Sequence, residues 1–205
     1  MAGERHDDVL LLVEHEPVVT LGRGTKPGSL PVSPAVLTSH GIQVVEVERG
    51  GDVTYHGPGQ VVGYPVLDLR EHREDLHWYL RQLEGVIIAA LAELGVSAER
   101  NPGLTGVWTR GRKIASIGIH VKQWVTFHGF ALNVTTDLSG FDLIVPCGIQ
   151  DVVMTSVARE LGRSDAEELE AASRRAIVSW FGKVFGYRDI ELVADLPGPH
   201  ASAEV

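Results

Sequence analysis

Apolar and polar positions alternate in short blocks along most of this chain. Val9–Val13 and Val18–Leu21 are apolar, β-branched runs on either side of a turn-like Glu14-His-Glu-Pro17, and they predict two short strands. Gln43–Glu48 alternates apolar and polar, the pattern of a half-buried strand, and Val61–Leu69 is a longer β-branched run. The period then changes. Leu76, Leu80, Leu83, Ile87, Leu91 and Leu94 recur at steps of three and four, which predicts an amphipathic helix closing at Gly95. Three β segments follow, Gly106–Thr109, Lys113–Val121 and Trp124–Val134. Gly111-Arg112 and Lys122-Gln123 stand at the expected turns, so a meander is predicted. A second helix starts at the capping-box pattern Ser164-Asp-Ala-Glu167 and runs through Leu169, Ala176 and Trp180 to Gly186. Residues 187–205 form a C-terminal tail, predicted to fray from Pro197. Strands without regular βαβ alternation, plus two helices, predict an α+β fold with mixed or antiparallel sheets flanked by helices. At 205 residues, one domain spanning 1–205 accounts for the chain.

Composition narrows the class. The single cysteine excludes an intramolecular disulfide and a cysteine-rich zinc site. A net charge of −9 argues against a nucleic-acid partner, because phosphate contacts dominate such binding. The polar N-terminus has no signal-peptide pattern. The most apolar window, Val86–Ala92, is far below the roughly 20 residues that span a bilayer. A soluble cytoplasmic protein without a membrane partner is expected. The nine histidines are scattered without helical His-x₃-His pairing, and no metal site is expected.

Candidate chemistry starts at Cys147. A free cysteine is ordinarily a small buried hydrophobe. Here Pro146 and Gly148 mark a loop, and the adjacent backbone N–H groups offer a candidate oxyanion hole for a nucleophile. Such a thiol needs a partner to become thiolate. Lys113 is the candidate. Regular alternation puts it on one face with Ala115, Ile117, Ile119 and Val121, where lost solvation favours the neutral, basic amine. The bland alternative is a solvated turn lysine beside Arg110 and Arg112. The third feature is Arg49-Gly-Gly-Asp-Val-Thr-Tyr-His-Gly-Pro-Gly-Gln60. Its four glycines bring backbone close to a ligand, but it is neither a P-loop nor a Gly-x-Gly-x-x-Gly fingerprint.

Together these blocks resemble the lipoyl(octanoyl) transferases of the LipB type. The resemblance rests on Leu12-Val-Glu-His-Glu-Pro17, the Arg49–Gln60 run, Lys113-Ile-Ala-Ser-Ile-Gly118, His128-Gly-Phe-Ala-Leu-Asn133 and Pro146-Cys-Gly148. It implies a fold like the catalytic domains of biotin and lipoate protein ligases. It implies octanoyl transfer from acyl carrier protein to a lysine of lipoyl domains, namely those of 2-oxoacid dehydrogenase E2 subunits and the glycine cleavage H protein. No cofactor or metal is implied. By the same resemblance Cys147 is the nucleophile and Lys113 its activating base. Substrate contacts fall to Arg49, Gly50, Gly51, Asp52, Val53, Thr54, Tyr55 and His56, to Ser116, Ile117 and Gly118, and to Gly129, Phe130 and Ala131. The family pattern has a further strand and helix ahead of the Leu12 block, which this sequence is expected to lack. An ATP-dependent ligase, a non-catalytic binding module and a thiol hydrolase stay open beside it. For acidic protein partners, Arg110, Arg112, Lys113 and Lys122 are expected to form a local basic patch.

Overall fold

The structure, a computed structural model, describes residues 7–194; the segment from Pro197 that the sequence predicts to fray lies outside them. The elements in chain order are β1 (Val9–Val13), β2 (Val18–Leu21), α1 (Pro34–Ser39), β3 (Gln43–Glu46), β4 (Thr54–His56) and β5 (Gln60–Val66). Then come α2 (Leu76–Glu93), β6 (Glu99–Asn101), β7 (Leu104–Thr109), β8 (Arg112–Lys122), β9 (Val125–Asn133), α3 (Val157–Leu161) and α4 (Ala166–Phe185). The larger sheet is antiparallel throughout, in the order β1-β5-β9-β8-β7-β6. A smaller mixed sheet has the order β3-β2-β4, with β3 parallel and β4 antiparallel to β2. The expected α+β architecture with mixed and antiparallel sheets is therefore the one observed.

The two long helices cover one face of the larger sheet. Leu83, Ile87 and Leu91 of α2 and Leu169, Ile177 and Phe181 of α4 pack on Val61, Ile114 and Leu132. Each such side chain contributes about 1.5–3 kcal/mol on burial. A second core, with Val19, Leu37, Val53, Tyr55 and Phe141, fills the space behind the smaller sheet. The opposite face of the larger sheet is left for the site.

Several boundaries differ from the sequence reading, each for a local reason. The hairpin turns are Arg110-Gly111 (φ 49° and 76°) and Gln123-Trp124 (φ 51° and 64°). Each is one residue away from the expected dipeptide, because a two-residue hairpin of this twist needs positive φ at both central positions. α4 begins one residue later than a Ser164 cap requires. Its N-cap, Asp165, makes no capping hydrogen bond, because its carboxylate is held by the Arg163 guanidinium. The helices α1 and α3 and the three-residue strands β4 and β6 were not anticipated. α1 carried a readable signal, with Ser33 accepting the Val36 N–H at its N-cap and Pro34 at the first helical position. α3 is bounded in the same way by Ser156 and by left-handed Gly162.

Candidate active site

A cavity of about 760 Å³ lies between the larger sheet and the smaller sheet with the loop before β4, and its lining reaches Leu80 of α2. Cys147 stands at its wall. Pro146–Gly148 form a single 3-10 turn in which Cys147 itself is left-handed (φ 57°, ψ 18°). A non-glycine residue in that conformation costs about 1–2 kcal/mol, so the surroundings must hold it there. They do so through backbone. The Cys147 N–H donates to Val53 O at 2.9 Å, and the Val145 N–H donates to Ser29 O at 2.9 Å. Asp52 completes the brace, accepting from Ser29 Oγ and the Val53 N–H, both at 2.7 Å. Its Oδ2 sits where a Cβ on Gly148 would come within 2.3 Å, so only glycine fits beside it. One expectation fails here. The Gly148 and Ile149 N–H groups donate to Val145 O and Pro146 O. With the Cys147 N–H also taken, no N–H of this turn is free to serve as an oxyanion donor.

Lys113 reaches the thiol. Its Nζ lies 3.1 Å from Cys147 Sγ and 5.5 Å from the centre of the Trp108 ring, and the residue is 1% exposed. The route it takes corrects the alternation argument. Trp108 pairs with Lys113 and Val107 with Ala115, so three residues of β8 stand opposite two of β7. Ile114 is the extra residue of a β-bulge, which shifts the side-chain parity. Ala115 and Ile114 go to the helix-side core, while Ile117 and Ile119 pack against that core and also border the cavity. Lys113 instead shares the cavity with Ser116, whose Oγ is 3.8 Å from Sγ. The chain after the cysteine turn straps the lysine in place: its N–H donates to Val153 O, and its carbonyl accepts from the Thr155 N–H.

Arg49, 8% exposed, ties the glycine loop down. Its guanidinium donates to Thr20 O and Oγ1 and to the carbonyls of Gly50 and Asp52. Burial pulls Arg49 below the usual guanidinium range, while the Cys147 sulfur and Asp52 act in the opposite sense. Gly118 is bare because a Cβ would lie 3.0 Å from Gly50 O and 3.1 Å from Arg49 Cδ. The Gly50 N–H in turn donates to Ile119 O. Across β8 and β9, Ser116 pairs with Ala131 and Gly118 with Gly129, giving the cavity a floor of small residues.

Not all the expected contact residues face this space. Gly51, Thr54 and His56 border the cavity, but Val53 and Tyr55 do not. Along β4 they alternate away from it into the smaller core, where Tyr55 packs edge-on against Phe141. Phe130 does border the cavity, with its ring against Gly63, where any Cβ would come within 2.2 Å. The expected basic patch is not formed either. Arg110 and Arg112 lie 3.9 and 2.9 Å from Glu160, Lys113 is buried, and Lys122 is at the far end of eleven-residue β8.

With this geometry in view, relatives are informative. A family model described as the lipoyl protein ligase A/B catalytic domain matches residues 1–177. The chain belongs to this family. It is 51% identical over 187 residues to an octanoyltransferase from a Nostoc species, covering 91% of this chain and 80% of that one. An octanoyltransferase from Gloeobacter violaceus is 52% identical over 186 residues, covering 91% and 79%. The fold is shared with a solved lipoate-protein ligase A bound with ATP, at a TM-score of 0.73 and 16% identity over 92% of this chain and 78% of that one.

In this family member a polar network that the sequence reading missed runs behind the cavity. His56 Nδ1 is 2.6 Å from Gln60 Oε1, and Gln60 Nε2 donates to Tyr55 O and to Asn133 Oδ1. Asn133 donates to Thr155 O, so the network ends on the strap that holds Lys113. Gln60 and Asn133 close two of the sequence blocks already singled out, which was the available signal. Burial pushes His56 down to about 4, against the opposing effect of the hydrogen bond it donates to Gln60 Oε1. His15, 2.6 Å from the Tyr64 hydroxyl, and His128 are lowered too, first by burial. The imidazoles facing the cavity are therefore neutral near pH 7. Among the described residues no cluster of three or more His, Cys, Asp or Glu is disposed to hold a metal, and no helix is long and apolar enough to cross a membrane.

Proposed function

We propose that this chain is an octanoyltransferase that moves an octanoyl group from acyl carrier protein to a lysine of lipoyl domains through a thioester on Cys147. The single observation that carries this reading is the Lys113 Nζ to Cys147 Sγ contact at 3.1 Å, inside a cavity floored by small residues. Half-identical octanoyltransferases over most of the chain support the choice of acyl group.

Lys113 takes the Cys147 proton, and the thiolate attacks the octanoyl thioester carbonyl. The carrier's pantetheine thiol leaves with a proton, and the octanoyl group stays on Sγ. The lipoyl-domain lysine then attacks the acyl-enzyme as Lys113 accepts its proton. An amide forms, the carbon–sulfur bond breaks, and the cysteine is restored. Ser116 Oγ and the Lys113 ammonium are the donors nearest the reacting sulfur, and they take over the oxyanion role that the Gly148 turn does not fill. Passing from thioester to amide is downhill, so the reaction needs neither ATP nor metal nor another cofactor. A nucleophile that must stay reduced fits the cytoplasm. The acceptors are the E2 lipoyl domains and the glycine cleavage H protein.

Intact mass after incubation with octanoyl-acyl carrier protein tests the reading. One octanoyl adduct is expected on the parent chain and none on Cys147→Ala. An adduct that survives the substitution overturns it.

A further inference from the structure

α2 carries one residue out of keeping with its buried face. Among Tyr79, Leu83, Val86 and Ile87 stands Glu84, 1% exposed. A carboxylate there has lost its hydration and needs compensation. Arg81 Nη1 at 2.6 Å and Arg100 Nε at 2.9 Å both donate to Oε2. Oε1 accepts a single bond, the Gly106 N–H at 3.3 Å. A buried ion pair is weak evidence of a stabilising role, since apolar replacements of such groups are often neutral or better. What an apolar residue cannot supply is an acceptor fixed in front of Gly106.

Gly106 is where β7 parts from β8. The pairing of the two strands runs only as far as Val107 opposite Ala115. With φ at +124°, a region for glycine, the chain turns off towards β6. A Cβ on Gly106 would lie 2.9 Å from Lys113 Cε, 3.5 Å from its Nζ and 2.7 Å from Ala115 O. The arm of Lys113 therefore lies along the Gly106 backbone, and the width of its slot depends on where that backbone stands.

We infer that Glu84 is a positioning residue for Lys113: by holding the Gly106 N–H it fixes the backbone wall that aims Lys113 Nζ at Cys147 Sγ. The inference rests on the Cys147–Lys113 dyad of the proposed function. Releasing the wall lets Nζ leave its 3.1 Å contact, and the sulfur loses its nearest hydrogen-bond partner.

The test reads the dyad without any acyl substrate. Alkylation of the lone Cys147 by iodoacetamide is followed against pH by intact mass in the full chain, with Lys113→Met setting the limit of a lost ammonium. Glu84→Leu is expected to raise the half-maximal pH by about one unit and to slow alkylation about tenfold below it, because the thiolate fraction falls tenfold per unit. Glu84→Gln keeps an oxygen for Gly106 while losing the ion pairs, and it is expected to recover most of the rate. A Glu84→Leu profile superimposed on the parent overturns the inference, and so does a Glu84→Gln profile as impaired as that of Glu84→Leu. If Glu84→Leu does not fold, Glu84→Asp replaces it. That variant keeps the charge but is one methylene too short for Gly106, so it should shift the profile in the same direction; no shift overturns the inference. A parent chain that takes no octanoyl group while these shifts appear would sink the proposed function and leave Glu84's role standing.

Discussion

Replacing Lys113 by methionine should move stability and activity in opposite directions. The two side chains are similar in length, so the slot beside Gly106 stays filled. What changes is a buried polar head group. Lys113 is 1% exposed, and among the described residues its Nζ has one hydrogen-bond partner, Cys147 Sγ. Its remaining N–H donors are left to the Trp108 ring at 5.5 Å and to whatever fills the cavity. Burying unpaired polar groups costs about 1–3 kcal/mol in proteins, and removing them returns a similar amount. For a chain of this size 1 kcal/mol corresponds to roughly 2–4 °C in Tm. Lys113→Met is therefore expected to melt several degrees higher in scanning calorimetry. Octanoylation of Cys147, timed by intact mass under single-turnover conditions, should meanwhile slow by about 10²–10⁴, the usual contribution of a positioned general base. Acylation at the parental rate would refute Lys113 as the base. A variant that is both inactive and less stable than the parent would refute the account of the buried lysine as a functional cost, because lost folding would then explain the lost activity.

Acid should destabilise the fold through His56. Its pKa falls from the ordinary 6.5 to about 4 on folding, so between those values the unfolded chain binds the extra proton. Stability then rises with pH across that window and is lost as pH drops through it, by roughly 3 kcal/mol in all. Urea midpoints between pH 7 and pH 4 should show the slope, and His56→Gln should flatten it; an equal slope in that variant would show that other groups carry it. Arg49→Lys is expected to destabilise by about 2–4 kcal/mol, because an ammonium cannot reach Thr20, Gly50 O and Asp52 O from one buried position. A change below about 0.5 kcal/mol in denaturant midpoint analysis would mean that the loop does not depend on that fork.

How much of this was legible in the sequence divides along a physical line. Periodicity found β1, β2, α2 and the β8–β9 hairpin because each obeys a local repeat that burial then enforces. Parity within β4 was equally available: alternation from Val53 to His56 sends Val53 and Tyr55 into the smaller core, and only a motif read as one block hides it. The short helix α1 announced itself through Ser33-Pro34. The dyad was reached by a different route. Strict alternation places Lys113 with Ala115, and that residue lies in the core under the helices, away from Cys147. The lysine meets the thiol because Ile114 is bulged out, and that bulge exists where Gly106 leaves the ladder under the hold of Glu84. Neither Gly106 nor Glu84 is near Lys113 in a two-residue repeat, and Glu84 lies on a helix whose periodic face marks it only as an exception. The oxyanion expectation fails for a related reason: the N–H groups of the cysteine turn are consumed by carbonyls of Val53, Val145 and Pro146, a long-range bond and two that close the turn itself. Local pattern thus specifies which side chains share a sheet, while the register fault that turns one of them towards Cys147 is set by packing between elements far apart in the chain.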